Sequence, residues 1–101
     1  MSLVKVAKID TIPVREPKQF KIEGHEILVI NLDGQYYCLP AMCTHAGAPL
    51  VEGEILGDIL ICPWHGSNFR ITDGSVIKGP AEKPLIVYPC IVQDDYLVVD
   101  I

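Results

Sequence analysis

The chain has 101 residues, 50% of them hydrophobic, and 8 Lys and Arg stand against 13 Asp and Glu for a formal net charge of −5. That length holds one domain with one core, and it excludes a redox centre, a substrate-oxidising site and a reductase together in one chain. The apolar content excludes disorder, and the acidic balance argues against nucleic acid as a partner, which selects clustered Lys and Arg.

From the N-terminus, Met1 to Asp10 has no long apolar run and no small-residue cleavage site, so no signal peptide is expected. Leu3–Ile9 alternates imperfectly and is a first candidate strand. His25 follows Glu23-Gly24 and reads as a surface turn residue. Glu26–Leu32 is a stronger strand, followed by Asp33-Gly34 and then Gln35–Leu39. An Asp-Gly between two such runs predicts a type I′ hairpin, whose two central residues both need positive φ. Tyr36 and Tyr37 point to opposite faces of their strand, so one of them is expected to pack inward. Gly57-Asp58 joins Val51–Leu56 to Ile59–Ile61 by the same logic, and Asp73-Gly74 joins Asn68–Thr72 to Ser75–Lys78. Leu85–Val92 and Tyr96–Asp100 flank Gln93-Asp94-Asp95, whose acidic pair reads as a solvated turn. Short strands at regular spacing predict an all-β sandwich or barrel. The alternative is an α+β domain with one short helix near Pro49–Gly53. No internal repeat, low-complexity tract or linker divides the chain. The apolar run Ile27–Ile30 falls far short of the ~18 residues a membrane helix needs. No membrane partner is therefore expected, and the predicted localisation is cytoplasmic. Four cysteines, Cys38, Cys43, Cys62 and Cys90, would allow two disulfides. In the reducing compartment expected here, metal binding is the better reading.

Two boxes carry the chemistry. Cys43-Thr44-His45 lies in C-T-H-A-G-A-P-L and Cys62-Pro63-Trp64-His65 in C-P-W-H-G-S-N-F, with sixteen residues between His45 and Cys62. Each box offers one thiolate and one imidazole on a loop short enough to aim both at one place. Gly47 and Gly66 follow the boxes, where positive φ and close backbone approach are permitted. Three readings compete. Buried Cys and surface His with no metal would need two such boxes by coincidence. A structural zinc would take Cys₂His₂, yet zinc usually draws its thiolates from one knuckle and its histidines from a helix. An iron–sulfur cluster would place two thiolates on one iron and two imidazoles on the other.

The C-x-H box, the sixteen-residue gap and the C-P-x-H-G box resemble the Rieske [2Fe–2S] proteins. The resemblance extends to Gly79-Pro80, where the family often has a proline-bearing loop over the cluster, and to a chain length similar to free-standing Rieske ferredoxins. It implies one [2Fe–2S] cluster per chain, with Cys43 and Cys62 as thiolate ligands and His45 and His65 as imidazole ligands. It implies an antiparallel β-sandwich from residues 1–40 and 81–101, with 41–80 as an inserted cluster-binding subdomain. It further implies a soluble one-electron carrier, a monomer, not an enzyme by itself, taking electrons from a flavoprotein reductase and passing them to an oxygenase or other redox acceptor. Alternatives are a small Rieske subunit of a nitrite-reductase-like complex and a redox-silent zinc module.

The mixed ligand set has an electrostatic consequence. Two ferric ions, two sulfides and two thiolates with neutral imidazoles sum to about zero, whereas four thiolates give about −2. A neutral centre accepts an electron more easily than a dianion does. Rieske centres are known to span about −150 to +300 mV. The added electron should rest on the His-bound iron, and reduction should couple to proton uptake at high pH. Quinol-oxidising relatives usually carry one more Cys in each box, joined as a disulfide. Ala48 and Trp64 stand there in this chain, so that disulfide is absent. Ser67 stands where high-potential members have a serine bonded to a bridging sulfide, and Phe69 where they have a tyrosine. A potential in the lower half of the window is therefore expected, raised if Ser67 makes its bond. Trp64 and Pro63 are candidates to shield the cluster, or to pack against the loop. Ala46, Pro49, Leu50 and Pro80 are candidates for an apolar docking rim, or for ordinary loop packing. Cys38 and Cys90 lie in apolar strand patterns and read as buried structural thiols.

Overall fold

The computed structural model describes residues 2–101. Ten strands follow in chain order: β1 (Leu3–Lys8), β2 (Lys18–Ile22), β3 (His25–Leu32), β4 (Gln35–Pro40), β5 (Glu54–Leu56), β6 (Ile59–Ile61), β7 (Asn68–Arg70), β8 (Val76–Lys78), β9 (Cys90–Gln93) and β10 (Tyr96–Asp100). They form three antiparallel sheets of order β1-β10-β9, β2-β3-β4 and β5-β6-β7-β8. The only helical turns among the described residues are two 3₁₀ turns, Ile9–Thr11 and Leu50–Glu52.

The turns follow from local chemistry. Glu23-Gly24, Asp33-Gly34 and Asp94-Asp95 all have positive φ at both positions, the geometry of two-residue I′ hairpins. Asp94 and Asp95 reach it without glycine, at φ of 51° and 65°. At Gly57-Asp58 only the glycine has positive φ, which fits the II′ alternative. Asp73-Gly74 is a longer connection. Asp73 Oδ1 accepts both the N–H and the hydroxyl of Ser75, at 2.9 and 2.7 Å, and Gly74 N–H donates to the Arg70 carbonyl at 2.7 Å.

The middle sheet is the shared wall of the molecule. Ile27, Leu28, Val29 and Ile30 of β3 are all fully buried. Successive side chains of a strand point to opposite faces, so the run serves two cores. Ile27 and Val29 join Ile12, Cys38, Leu97 and Val99 on the side of the β1-β10-β9 sheet. Leu28 and Ile30 join Leu39, Leu50, Leu60 and Phe69 on the side of the β5–β8 sheet, together with Cys43 and Cys62. The unbroken apolar stretch thus marks a strand covered on both faces.

Several expectations need correction. Leu85–Val92 is not one strand: Pro89 has no N–H for a ladder, β9 begins at Cys90, and residues 85–89 keep only the isolated bridge of Tyr88 to Cys38. The strand expected from Val51 begins at Glu54, because Leu50–Glu52 close a 3₁₀ turn. The first strand stops at Lys8, and the strands around Asp73-Gly74 stop at Arg70 and resume at Val76. His25 opens β3 rather than lying in the turn. Tyr36 and Tyr37 both pack inward, on the two opposite cores. Strand β2, with its Lys-Gln-Phe-Lys-Ile alternation, was not anticipated.

Candidate metal centre

Two loops of matching construction carry the boxes. The first leaves β4 and is closed by the Cys43 N–H donating to the Ala48 carbonyl at 2.9 Å. The second caps the β6–β7 hairpin beyond the Ile61–Asn68 pair and is closed by the Cys62 N–H donating to the Ser67 carbonyl at 2.8 Å. Each cysteine thus starts a loop that returns five residues later. Inside, the backbone must turn left-handed. Gly47 has φ 71° and Gly66 φ 76°, and His65 itself adopts φ 65°. A non-glycine residue held there pays a conformational cost that its surroundings must offset.

The four side chains divide into two pairs. The Cys43 and Cys62 thiols are 3% and 2% exposed and lie in the core beside Phe69 and Leu60. Burial pushes the Cys62 thiol up, the backbone N–H of Trp64 opposes this, and the neighbouring Cys43 thiol adds to the rise. The His45 and His65 rings are exposed, 5.3 Å apart between centroids and edge-to-face at 81°. Among the described residues no three His, Cys, Asp or Glu groups gather as the ligands of one ion. An inner pair of soft sulfur donors and an outer pair of nitrogen donors suits a two-metal group, with one pair on each metal. It suits a single tetrahedral zinc less well.

A third segment, residues 79–85, closes over both loops. Its Gly79–Pro80 peptide is cis. The Ala81 N–H donates to Ser67 Oγ at 2.9 Å, the Thr44 hydroxyl donates to the Lys83 carbonyl at 2.6 Å, and the Leu85 N–H donates to the Gly74 carbonyl at 2.8 Å. A surface cleft of about 360 Å³ between this segment and the first loop is lined by Thr44, His45, Pro80, Glu82 and Lys83.

The structure places the remaining candidates as follows. Ser67 is fully buried and accepts from Ala81, which leaves its own proton free to donate. Trp64 is 48% exposed, and what it directs at Cys62 is its backbone N–H. Pro63, Ala46 and Pro80 are exposed, while Leu50 is fully buried and belongs to the core rather than to a rim. The 3₁₀ turn that begins at Leu50 turns it inward. Met42, 54% exposed, lies in the first loop's approach and was not singled out. Nor were Thr44, Ala81 and Lys83. Their bonds join positions far apart in the chain, 39 residues for Thr44 and Lys83, so no local pattern announces them. Cys38 and Cys90 lie outside this site, and all four thiols are free.

A family model described as Rieske [2Fe-2S] domain matches residues 2–89. The biphenyl dioxygenase ferredoxin subunit of Pseudomonas sp. (strain KKS102) is 31% identical over 101 residues, covering 99% of this chain and 93% of that protein. The cytochrome b6-f complex iron–sulfur subunit of Chlorobaculum tepidum is 31% identical over 96 residues, but the chain spans only 52% of its length. Among solved structures, the ferredoxin of carbazole 1,9a-dioxygenase from Nocardioides aromaticivorans IC177 superposes with a TM-score of 0.91 at 26% identity, covering 98% of this chain and 97% of that one.

Proposed function

The chain belongs to the Rieske [2Fe–2S] domain family, and from that premise we propose that it is a one-electron carrier passing electrons from a flavoprotein reductase to an oxygenase component. When bound, the [2Fe–2S] cluster supplies one reversible electron within the window of mixed Cys and His ligation. In this reading one cluster is held per chain. Cys43 and Cys62 would hold one iron from within the core, and His45 and His65 would hold the other with their rings toward solvent. Residues 41–80 act as the cluster-binding subdomain. The backbone N–H of Trp64 and the Ser67 hydroxyl supply donors beside the cluster, and Pro80 with its segment shields one side.

The observation that carries the proposal is the division of the ligands. The thiols are buried, whereas the two imidazoles meet at an exposed tip flanked by exposed Met42 and Trp64. With a cluster bound behind them, the exposed His45 and His65 rings would stand between it and a docked partner, so electron exchange would need no substrate cavity. The relatives named above that match this chain over nearly their whole length are ferredoxins of dioxygenase systems. This supports an oxygenase as acceptor. The reductase donor and the cytoplasmic setting follow from the same reading, and the chain performs no catalysis by itself.

The test is reconstitution. Purified protein should mediate electron flow from a flavoprotein reductase to a dioxygenase terminal component, with product formation depending on its concentration. A protein that reconstitutes its cluster, is reduced and reoxidised reversibly, and still fails to support any oxygenase would point instead to a subunit of a larger redox complex.

A further inference from the structure

No covalent link joins the two ligand loops, since all four thiols are free. What the loops share is the 79–85 segment. The Thr44 hydroxyl of the first loop donates to the Lys83 carbonyl at 2.6 Å, and Ser67 Oγ of the second accepts the Ala81 N–H at 2.9 Å. The far end of the segment is tied by the Leu85 N–H to the Gly74 carbonyl at 2.8 Å. One short segment thus holds a hydroxyl from each loop, and it is itself anchored to the turn between β7 and β8. Pro80 and Pro84 restrict its backbone on either side of the two bonded positions, so few other conformations compete with this one.

The two bonds differ in what they can do. Ser67 and Ala81 are buried, so their bond belongs to the interior. Thr44 and Lys83 are exposed. Water replaces either partner there, and such a bond adds little to global stability. Its position gives it another effect. Thr44 stands between Cys43 and His45, so fixing Thr44 fixes the direction in which both neighbours leave the chain. The backbone bonds made by Cys43 and Gly47 stay inside the loop: the Cys43 N–H donates to the Ala48 carbonyl and the Gly47 N–H to the Cys43 carbonyl, both at 2.9 Å. They set the loop's shape but not its placement against the second loop, whose His65 ring lies 5.3 Å from that of His45. Cys43, buried in the core, holds the inner end of the loop, and the Thr44 hydroxyl ties the exposed end. Thr44, His45 and Lys83 line one surface cleft of about 360 Å³, so the bond closes beside the exposed ring.

We propose that Thr44 is a positioning residue for His45. Its hydroxyl locks the exposed end of the first loop to the segment that also holds the second loop, and so fixes the two imidazoles relative to one another. The proposal rests on the reading of His45 and His65 as ligands of one iron. Metal ligands oriented by such outer bonds lose about 10–100-fold in metal affinity when the bond is removed. Removal here leaves no buried group unpaired, so the loss falls on the cluster and not on the fold. Valine keeps the shape of threonine without the hydroxyl, and serine keeps the hydroxyl without the methyl group.

The experiment compares the cluster-loaded parent protein with Thr44→Val and Thr44→Ser. Pulsed electron paramagnetic resonance of the reduced, ¹⁵N-histidine-labelled proteins reads the two imidazole couplings. Bleaching of the visible absorption under EDTA reads the rate of cluster loss, and amide hydrogen exchange of β3 and β10 reads the fold. In Thr44→Val one imidazole coupling should shift while the other keeps its parent value. Cluster loss should be faster by about tenfold or more, with β3 and β10 exchanging at the parent rate. Thr44→Ser should restore the parent values. A Thr44→Val protein that takes up no cluster, beside a Thr44→Ser protein that loads normally, supports the lock equally. The proposal is overturned if Thr44→Val keeps either the parent couplings or the parent rate of loss, if β3 and β10 exchange faster along with the cluster loss, or if Thr44→Ser fails alongside Thr44→Val. A parent protein without nitrogen coupling would remove the histidine reading itself, and the proposal with it.

Discussion

Ser67→Ala separates two roles of one hydroxyl. Ser67 Oγ accepts the Ala81 N–H at 2.9 Å, both residues are buried, and no buried side-chain polar atom among the described residues lacks a partner. Removing the oxygen leaves the Ala81 N–H unpaired in the interior, at a cost of about 1–3 kcal/mol. Each kcal/mol lowers the melting temperature of a domain this size by roughly 4–8 °C. The second role depends on where the hydroxyl proton goes. If it donates to the cluster, it favours the more negative, reduced state. A hydrogen bond of about 0.5–1.5 kcal/mol made preferentially in that state corresponds to about 20–65 mV for one electron. Protein-film voltammetry of the variant should then show a potential lower by that amount, and thermal denaturation should show the stability loss. Loss of stability with an unchanged potential would refute the donor role and leave Ser67 as a tie to the 79–85 segment alone. An unchanged melting temperature would refute the tie.

Gly74→Ala should be severe, because the added Cβ would run into the Leu85 carbonyl oxygen and φ at this position is +76°. Limited proteolysis should cut within residues 79–85 of the variant well before it cuts the parent. Parent-like resistance would contradict the packing described here. Asp73 is held below the usual carboxylate range by the Ser75 hydroxyl and N–H. With the folded pKa below the unfolded one, its contribution to stability is present above the ordinary carboxylate value of about 3.9 and is lost as pH falls through the depressed folded value. Carboxyl-resolved NMR titration should find Asp73 titrating below the ordinary carboxylate value, and Ser75→Ala should move it up. His65→Ala should abolish the cluster and loosen residues 41–80 first, read by iron content and amide hydrogen exchange; unchanged iron content would remove His65 from the ligand set.

Much of the strand pattern could be read locally, because positive-φ turn dipeptides and aliphatic runs are short-range signals. Asp33-Gly34 and Gly57-Asp58 both turn as their residue types require. The run Ile27–Ile30 was also visible, but not its meaning. Whether an aliphatic strand is covered on one face or two depends on sheets formed by residues far along the chain, here β10 on one side and β6–β7 on the other. Pro89 should have divided Leu85–Val92 on local grounds, since proline cannot donate to a ladder. β2 escaped because its lysines dilute an alternation carried only by Phe20 and Ile22. At the candidate site, the two boxes and their glycines were legible. Invisible were the bonds that tie Thr44, Ser67 and Gly74 to the 79–85 segment. Each joins positions that become neighbours only once the sheets assemble.

In the proposed function, two histidines from separate loops hold the iron that carries the electron. Pulsed electron paramagnetic resonance on reduced protein labelled with ¹⁵N-histidine tests it most directly, together with iron and acid-labile sulfide analysis. Iron and sulfide in equal amounts and two strongly coupled imidazole nitrogens are expected. His25, exposed at the start of β3, should contribute none. A paramagnetic cluster without nitrogen coupling, or protein that binds zinc and no sulfide, would contradict it.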